Sequence, residues 1–114
     1  MALSAVTGGA NDTSPRASPP LGAEGWSIKL DAVGRTVTGG YDGSSISYVW
    51  RNTAAGAPDS PFGTSGVATL QNSVGGASRD LVWATTIDPQ GRIVAAGYSA
   101  VGSVHYAMVW RLNP

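Results

Sequence analysis

Cysteine is absent from the 114 residues, so no disulfide staples the chain and no thiolate can serve a metal shell or attack a substrate. Charge is scarce too. Charged residues make up 12% of the chain, and seven basic residues balance seven acidic ones, against a usual charged share of about 25%. That balance excludes the electrostatic footprint of a nucleic-acid binder and a polybasic membrane patch. No apolar run approaches the roughly 20 residues that span a bilayer, so membrane insertion is not expected. The opening Met1-Ala-Leu-Ser-Ala-Val6 is apolar for only a few residues and has no basic flank, unlike a signal peptide. With so few Glu, Lys and Arg, long helical bundles and coiled coils are also excluded.

What the chain does have is 16 glycines and 7 prolines, with Val, Ile, Thr, Tyr and Trp in short runs between them. Residues 1–22 are mostly Gly, Ser, Thr, Pro and Ala, and too little of this can be buried to offset the entropy of ordering it. This stretch is expected to be a flexible arm. From Trp26 onward, apolar runs and turn clusters alternate every 8 to 12 residues, as in consecutive antiparallel strands.

The chain also aligns with itself. Displaced by 57 positions, Trp26, Asp31, Gly34, Arg35, Val37, Gly40 and Tyr41 fall on Trp83, Asp88, Gly91, Arg92, Val94, Gly97 and Tyr98. After a loop three residues longer in the second copy, Val49-Trp50-Arg51 faces Val109-Trp110-Arg111. The reading is one repeat over 23–79 and a second, truncated one over 80–114.

Each copy predicts a strand near 26–30 or 82–87 and a turn, Asp31-Ala-Val-Gly34 or Asp88-Pro-Gln-Gly91, of type I chemistry. Further strands follow near 35–41 or 92–98 and near 46–51 or 104–112. A fourth, near 66–70, is present in the first copy only. The near-continuous apolarity of Ile93-Val-Ala-Ala-Gly97 suits a strand covered on both faces. The expected buried set is Trp26, Val37, Val49, Trp50, Ile87, Val94, Val109 and Trp110. Four antiparallel strands in a repeat of nearly 60 residues make an all-β chain of β-propeller-like blades, the second lacking its last strand.

The segments Asp88-Pro-Gln-Gly-Arg-Ile-Val-Ala-Ala-Gly-Tyr98, Met108-Val-Trp-Arg-Leu-Asn-Pro114 and Asp59-Ser-Pro-Phe-Gly-Thr-Ser-Gly-Val67 resemble the delta-60 repeat. The resemblance covers residues 19 to 114. It departs from the usual pattern at Arg51-Asn-Thr-Ala-Ala-Gly56 and at Pro61. It implies a propeller-like tandem array in large bacterial secreted or surface proteins, hence an extracellular or cell-surface location. It carries over no activity. On this reading the chain is expected to be a piece of a longer array.

Few residues offer chemistry. His105 is the only histidine and lies in a strand beside Tyr106, a setting for rim packing more than for ligation. No second His, Cys or carboxylate cluster completes a metal shell, and no Ser and Asp pattern joins it in a triad. Asp31 with Arg35 and Asp88 with Arg92 bracket equivalent turns, and a repeated pair suits a structural ion pair better than one asymmetric catalytic site. Arg51 and Arg111 end equivalent strands, with Asp59 a partner for the first. Phe62 reads as an anchor between neighbouring blades. Asp42-Gly-Ser-Ser45 offers oxygens, but a single carboxylate is too few for Ca²⁺. Gly39-Gly40 and Gly97 lie in strands and open no helix, so they cradle no phosphate.

The sharper alternative is aromatic. Trp26, Trp50, Trp83 and Trp110 with Tyr41 and Tyr98 can either pack between blades or stack on sugar rings. Candidate ligand contacts are Tyr41, Asp42, Tyr98 and His105, with no catalytic, cofactor or metal residue assigned and no cofactor expected. The expected role is a non-enzymatic structural or binding module that contacts protein or glycan. The alternative is part of a carbohydrate-binding or carbohydrate-active propeller whose site residues lie largely outside this chain. An uncovered blade face and an unpaired strand edge further predict self-association or packing against neighbouring repeats.

Overall fold

The computed structural model describes residues 22–114. The expected arm, apart from Gly22, therefore lies outside the described residues. Among the described residues there are seven strands and no helix: β1 (Glu24–Leu30), β2 (Thr36–Tyr41), β3 (Ser47–Asn52), β4 (Val67–Leu70), β5 (Arg79–Ile87), β6 (Ile93–Val101) and β7 (Val104–Leu112). They form two antiparallel sheets, one in the order β1-β2-β3-β4 and the other β5-β6-β7. The second sheet runs one strand shorter than the first.

The internal repeat extends to backbone detail. In the first turn the Gly34 N–H donates to the Asp31 carbonyl (3.1 Å), and in the second Gly91 does the same to Asp88 (2.9 Å). Both glycines sit at positive φ, 86° and 80°, the left-handed residue that closes a type I turn into a hairpin. A bulge interrupts β1–β2 between Gly25 and Ser27, and another interrupts β5–β6 between Val82 and Ala84. The extra residues are Trp26 and Trp83, which occupy the same position in the two copies. Opposite each bulge the backbones crowd together. A Cβ on Gly40 would run into the Glu24 carbonyl, and one on Gly97 into the Leu81 carbonyl, so only glycine fits at either place.

The sheets stack with β5 lying over β1 and β2. Strand alternation decides what meets. Val37, Gly39 and Val49 point from the first sheet toward the second, and Val82, Ile93 and Ala95 point back at them. With Phe62, the larger of these side chains form the buried core, and Ala68, Leu70, Ile87, Trp110 and Leu112 pack around it.

Val37, Val49 and Trp50 are buried as expected, and Ile87 and Trp110 are partly so. Three residues depart from the expected set. Trp26 is 46% exposed, because the bulge takes it out of the strand's regular alternation. Val109 is 71% exposed and Val94 only half-buried. Both lie on the face of the second sheet that corresponds to the covered face of the first, but here no strand of the first sheet lies over them. Hence β6 from Ile93 to Ala96 is covered on one face, not two, with Ile93 and Ala95 buried and Ala96 exposed, whereas Ser99 and Ala100 further along are both buried. Strand β6 also runs through to Val101, where the sequence reading placed a loop.

Candidate functional site

Polar groups gather in three places. The first is the pair of hairpin turns. Asp31 accepts from the backbone N–H groups of Val33 (3.0 Å) and Arg35 (2.9 Å), while Arg35 Nε donates to its second oxygen (2.5 Å). Asp88 accepts from Gln90 N (3.0 Å), Arg92 N (2.9 Å) and Arg92 Nε (2.7 Å) in the same geometry. At both acids, burial works to raise the carboxyl. The Arg hydrogen bond, the backbone donors and the Arg charge outweigh it and hold each group below the usual carboxylate range. These are Asx turns reinforced by an ion pair, as the repetition implied.

The second place is the loop after β3. Arg51, buried, donates through Nε to Asp59 (2.6 Å) and lays its guanidinium over the Phe62 ring, 4.6 Å from the centroid. The expected Arg51–Asp59 contact is present, and Phe62 is the anchor, filling the space between the sheets. Arg111, the equivalent of Arg51, ends β7 in an exposed position.

The third place is a buried carboxylate the sequence reading passed over. Asp80 is fully buried. Its side chain accepts from Ser99 Oγ (2.5 Å), Ser73 Oγ (2.5 Å) and Ser73 N (3.2 Å). Ser73 Oγ in turn accepts from Trp110 Nε1 (2.8 Å). The Asp80 backbone also ties the sheets together, for its carbonyl accepts from Ser47 Oγ (2.8 Å) and its N–H donates to the Ser45 carbonyl (3.1 Å). Asp80 has no acidic counterpart in the first copy, where Ala23 stands. That break in the repeat was the available signal.

The four candidate contacts separate into two groups. Asp42 uses its carboxylate within its own loop, accepting from Ser44 N (2.9 Å), Ser44 Oγ (2.8 Å), Ile46 N (3.3 Å) and the Tyr48 hydroxyl (3.3 Å). Burial raises the Asp42 carboxyl, but these donors together lower it below the ordinary range. Burial and the Asp42 charge raise the Tyr48 phenol. Tyr41, next to Asp42, stacks on Trp26 (5.8 Å between centroids), and Trp26 meets Trp83 edge-on (5.0 Å). Tyr98 and His105 stack on each other in the other sheet (4.4 Å, 7° between planes). His105 and Ser99 lie on opposite faces of that sheet, because His105 pairs with Ala100. No relay therefore joins the histidine to Asp80. Among the described residues no group of three or more His, Asp or Glu converges to hold a metal ion.

What remains accessible is aromatic. Trp26 and Trp83 are each about half exposed, one from each sheet. Trp26 also lines an open groove of about 230 Å³ with Gly25, Ser27, Ile28 and Thr38. Compared with known proteins, the chain matches no family model, no curated protein and no solved structure.

Proposed function

We propose that the chain is a non-enzymatic repeat module of the delta-60, propeller-like kind, with a structural and binding role at the cell surface or outside the cell. The observation that carries this reading is the duplicated hairpin, with matching turn, bulge and glycine contact in both sheets. The acids that a site would draw on are engaged in holding turns and the sheet junction. A glycan is the favoured ligand class, because the half-exposed Trp26–Trp83 pair offers apolar ring faces beside a groove into which Ser27 and Thr38 enter.

Affinity electrophoresis through a panel of soluble polysaccharides, run with hydrolase and lyase assays on the same panel, tests the reading. Retardation that Trp26→Ala and Trp83→Ala abolish, without turnover, is the expected result. Turnover by the purified chain that Asp80→Asn or His105→Ala removes would overturn the non-enzymatic reading.

A further inference from the structure

The repeat supplies a reference for the outer faces of the two sheets, on which Ile28 and Val109 stand exposed while Tyr48, Trp50, Leu81 and Ala100 are buried. Within the chain, the Val37–Gly39–Val49 face of the first sheet is covered by the Val82–Thr85–Ala95 face of the second. The second sheet carries the equivalent of the covered face on its outside, as Val94, Ala96 and Val109. The first sheet carries the equivalent of the covering face on its outside, as Gly25, Ile28 and Thr38. Register fixes these correspondences, since Ile28 pairs with Thr38 as Thr85 pairs with Ala95, and Gly39 with Val49 as Ala96 with Val109.

Two differences between the internal contact and this open pair are complementary. Inside the chain the Ser27 and Thr85 hydroxyls lie 2.8 Å apart, and Ser27 Oγ also takes the Thr85 N–H (2.9 Å). On the open faces the corresponding residues are Ala84 and Ile28, so a polar pair becomes an apolar pair. Steric fit changes in step. Gly39 is bare because a Cβ there would meet Thr85 Cγ2 at 2.7 Å and Val82 Cγ1 at 2.9 Å. On the open faces the position of Gly39 is taken by Ala96, which gains a methyl, and that of Val82 by Gly25, which has no side chain and is flanked by the Trp50 ring, 3.6 Å from where a Cβ would stand. The buried acid is also gone, with Ala23 in place of Asp80. Val109 and Ile28, the latter 63% exposed, are the most accessible large apolar groups on their respective faces.

We propose that a second copy of this chain docks the outer face of its first sheet onto the outer face of the second sheet, head to tail. The contact repeats the internal stacking in trans and joins two different surfaces, so it propagates into a closed ring or an open filament. The hydroxyl links of the internal junction are missing from it, so apolar burial holds it and dilution reverses it. This inference rests on the repeat reading but not on any glycan ligand.

Light scattering coupled to size exclusion, over a hundredfold dilution of the full chain, is the test. The unaltered chain should exceed its monomer mass of 11.6 kDa at high concentration and fall toward it on dilution. Val109→Asp and Ile28→Asp should each give a folded monomer, since each substitution disables a different half of the same contact. Mixing the two variants should restore a one-to-one dimer and nothing larger. If either variant loses its cooperative melt, Val109→Thr and Ile28→Thr replace them. A monomer at every concentration would overturn the proposal, as would an Ile28→Asp chain that still self-associates, since that means like faces pair. Ile28 also lines the groove beside Trp26, so polysaccharide retardation is read on Val109→Asp, whose substitution lies on the other sheet, and there the binding role fails or stands separately.

Discussion

At the scale of single residues, Asp80 is the group whose loss should be felt most for its size. Its carboxylate satisfies hydroxyls from two segments, and its backbone joins the two sheets. Asp80→Ala removes the acceptor and leaves buried Ser99 without its partner, a change expected to cost about 2–4 kcal/mol. Asp80→Asn keeps one acceptor oxygen and should cost less, and urea midpoints of the two variants at constant m-value check the order. Adjacent residues of β6 should behave oppositely. Ile93→Asp puts an unpaired charge in the core and should abolish folding. Val94→Asp, on the outer face, should leave a folded chain. Circular dichroism melts of the two variants separate them, and an unfolded Val94→Asp chain would show that the faces are misassigned.

At the scale of elements, the two hairpin turns set the response to acid. Asp31, Asp42 and Asp88 are all held below the usual carboxylate range by their donors. Their contribution to stability is therefore complete above the unfolded value of about 4 and disappears as pH falls through the lower folded values. Replacing Asp31 and Asp88 together with Asn keeps the turn acceptor and removes the titration. Urea midpoints measured between about pH 2 and pH 5 should then depend less steeply on pH than in the unaltered chain. At the other end, the raised Tyr48 phenol contributes fully below about pH 10 and is lost as pH climbs past it.

These hairpins were also the part most legible in the sequence, because Asp, Gly and Arg at fixed spacing have one local solution and it occurs twice. The Arg51–Asp59 pair was legible for a similar reason, being eight residues apart across one loop. Which face of each sheet is buried was not. A strand such as Ile93–Gly97 is apolar in both phases, so alternation gives no preference, and only the partner sheet decides between Ile93 and Val94. The bulged tryptophans were misplaced because one inserted residue cancels the period on which the burial argument rests. Asp80 was missed because its partners, Ser73 and Ser99, come from separate segments and resemble ordinary turn serines.

At the scale of the whole molecule, the two sheets differ at β7, which has no strand beside its outer edge among the described residues. In the first sheet β3 pairs with β4 through Ser47–Leu70, Tyr48–Thr69, Val49–Ala68 and Trp50–Val67. The loop between them returns Asp59 to Arg51 and Phe62 to the guanidinium face. Strand β7 presents the same edge from Ala107 to Trp110, and Arg111 stands where Arg51 stands. Grafting a copy of residues 53–70 after Leu112 should therefore add a fourth strand to the second sheet. The grafted Asp59 would then supply the carboxylate that Arg111 lacks among the described residues. A gain of about 1 kcal/mol corresponds to roughly 5 °C in melting temperature for a chain of this size, and scanning calorimetry should record at least that. Amide exchange along β7 should slow in the same graft, because its outer N–H groups acquire partners. Changing the grafted Asp59 to Asn should remove part of the thermal gain while leaving β7 protected, separating strand pairing from the ion pair. A graft that melts where the unaltered chain does, with β7 exchanging as before, would mean that the β7 edge is not equivalent to that of β3.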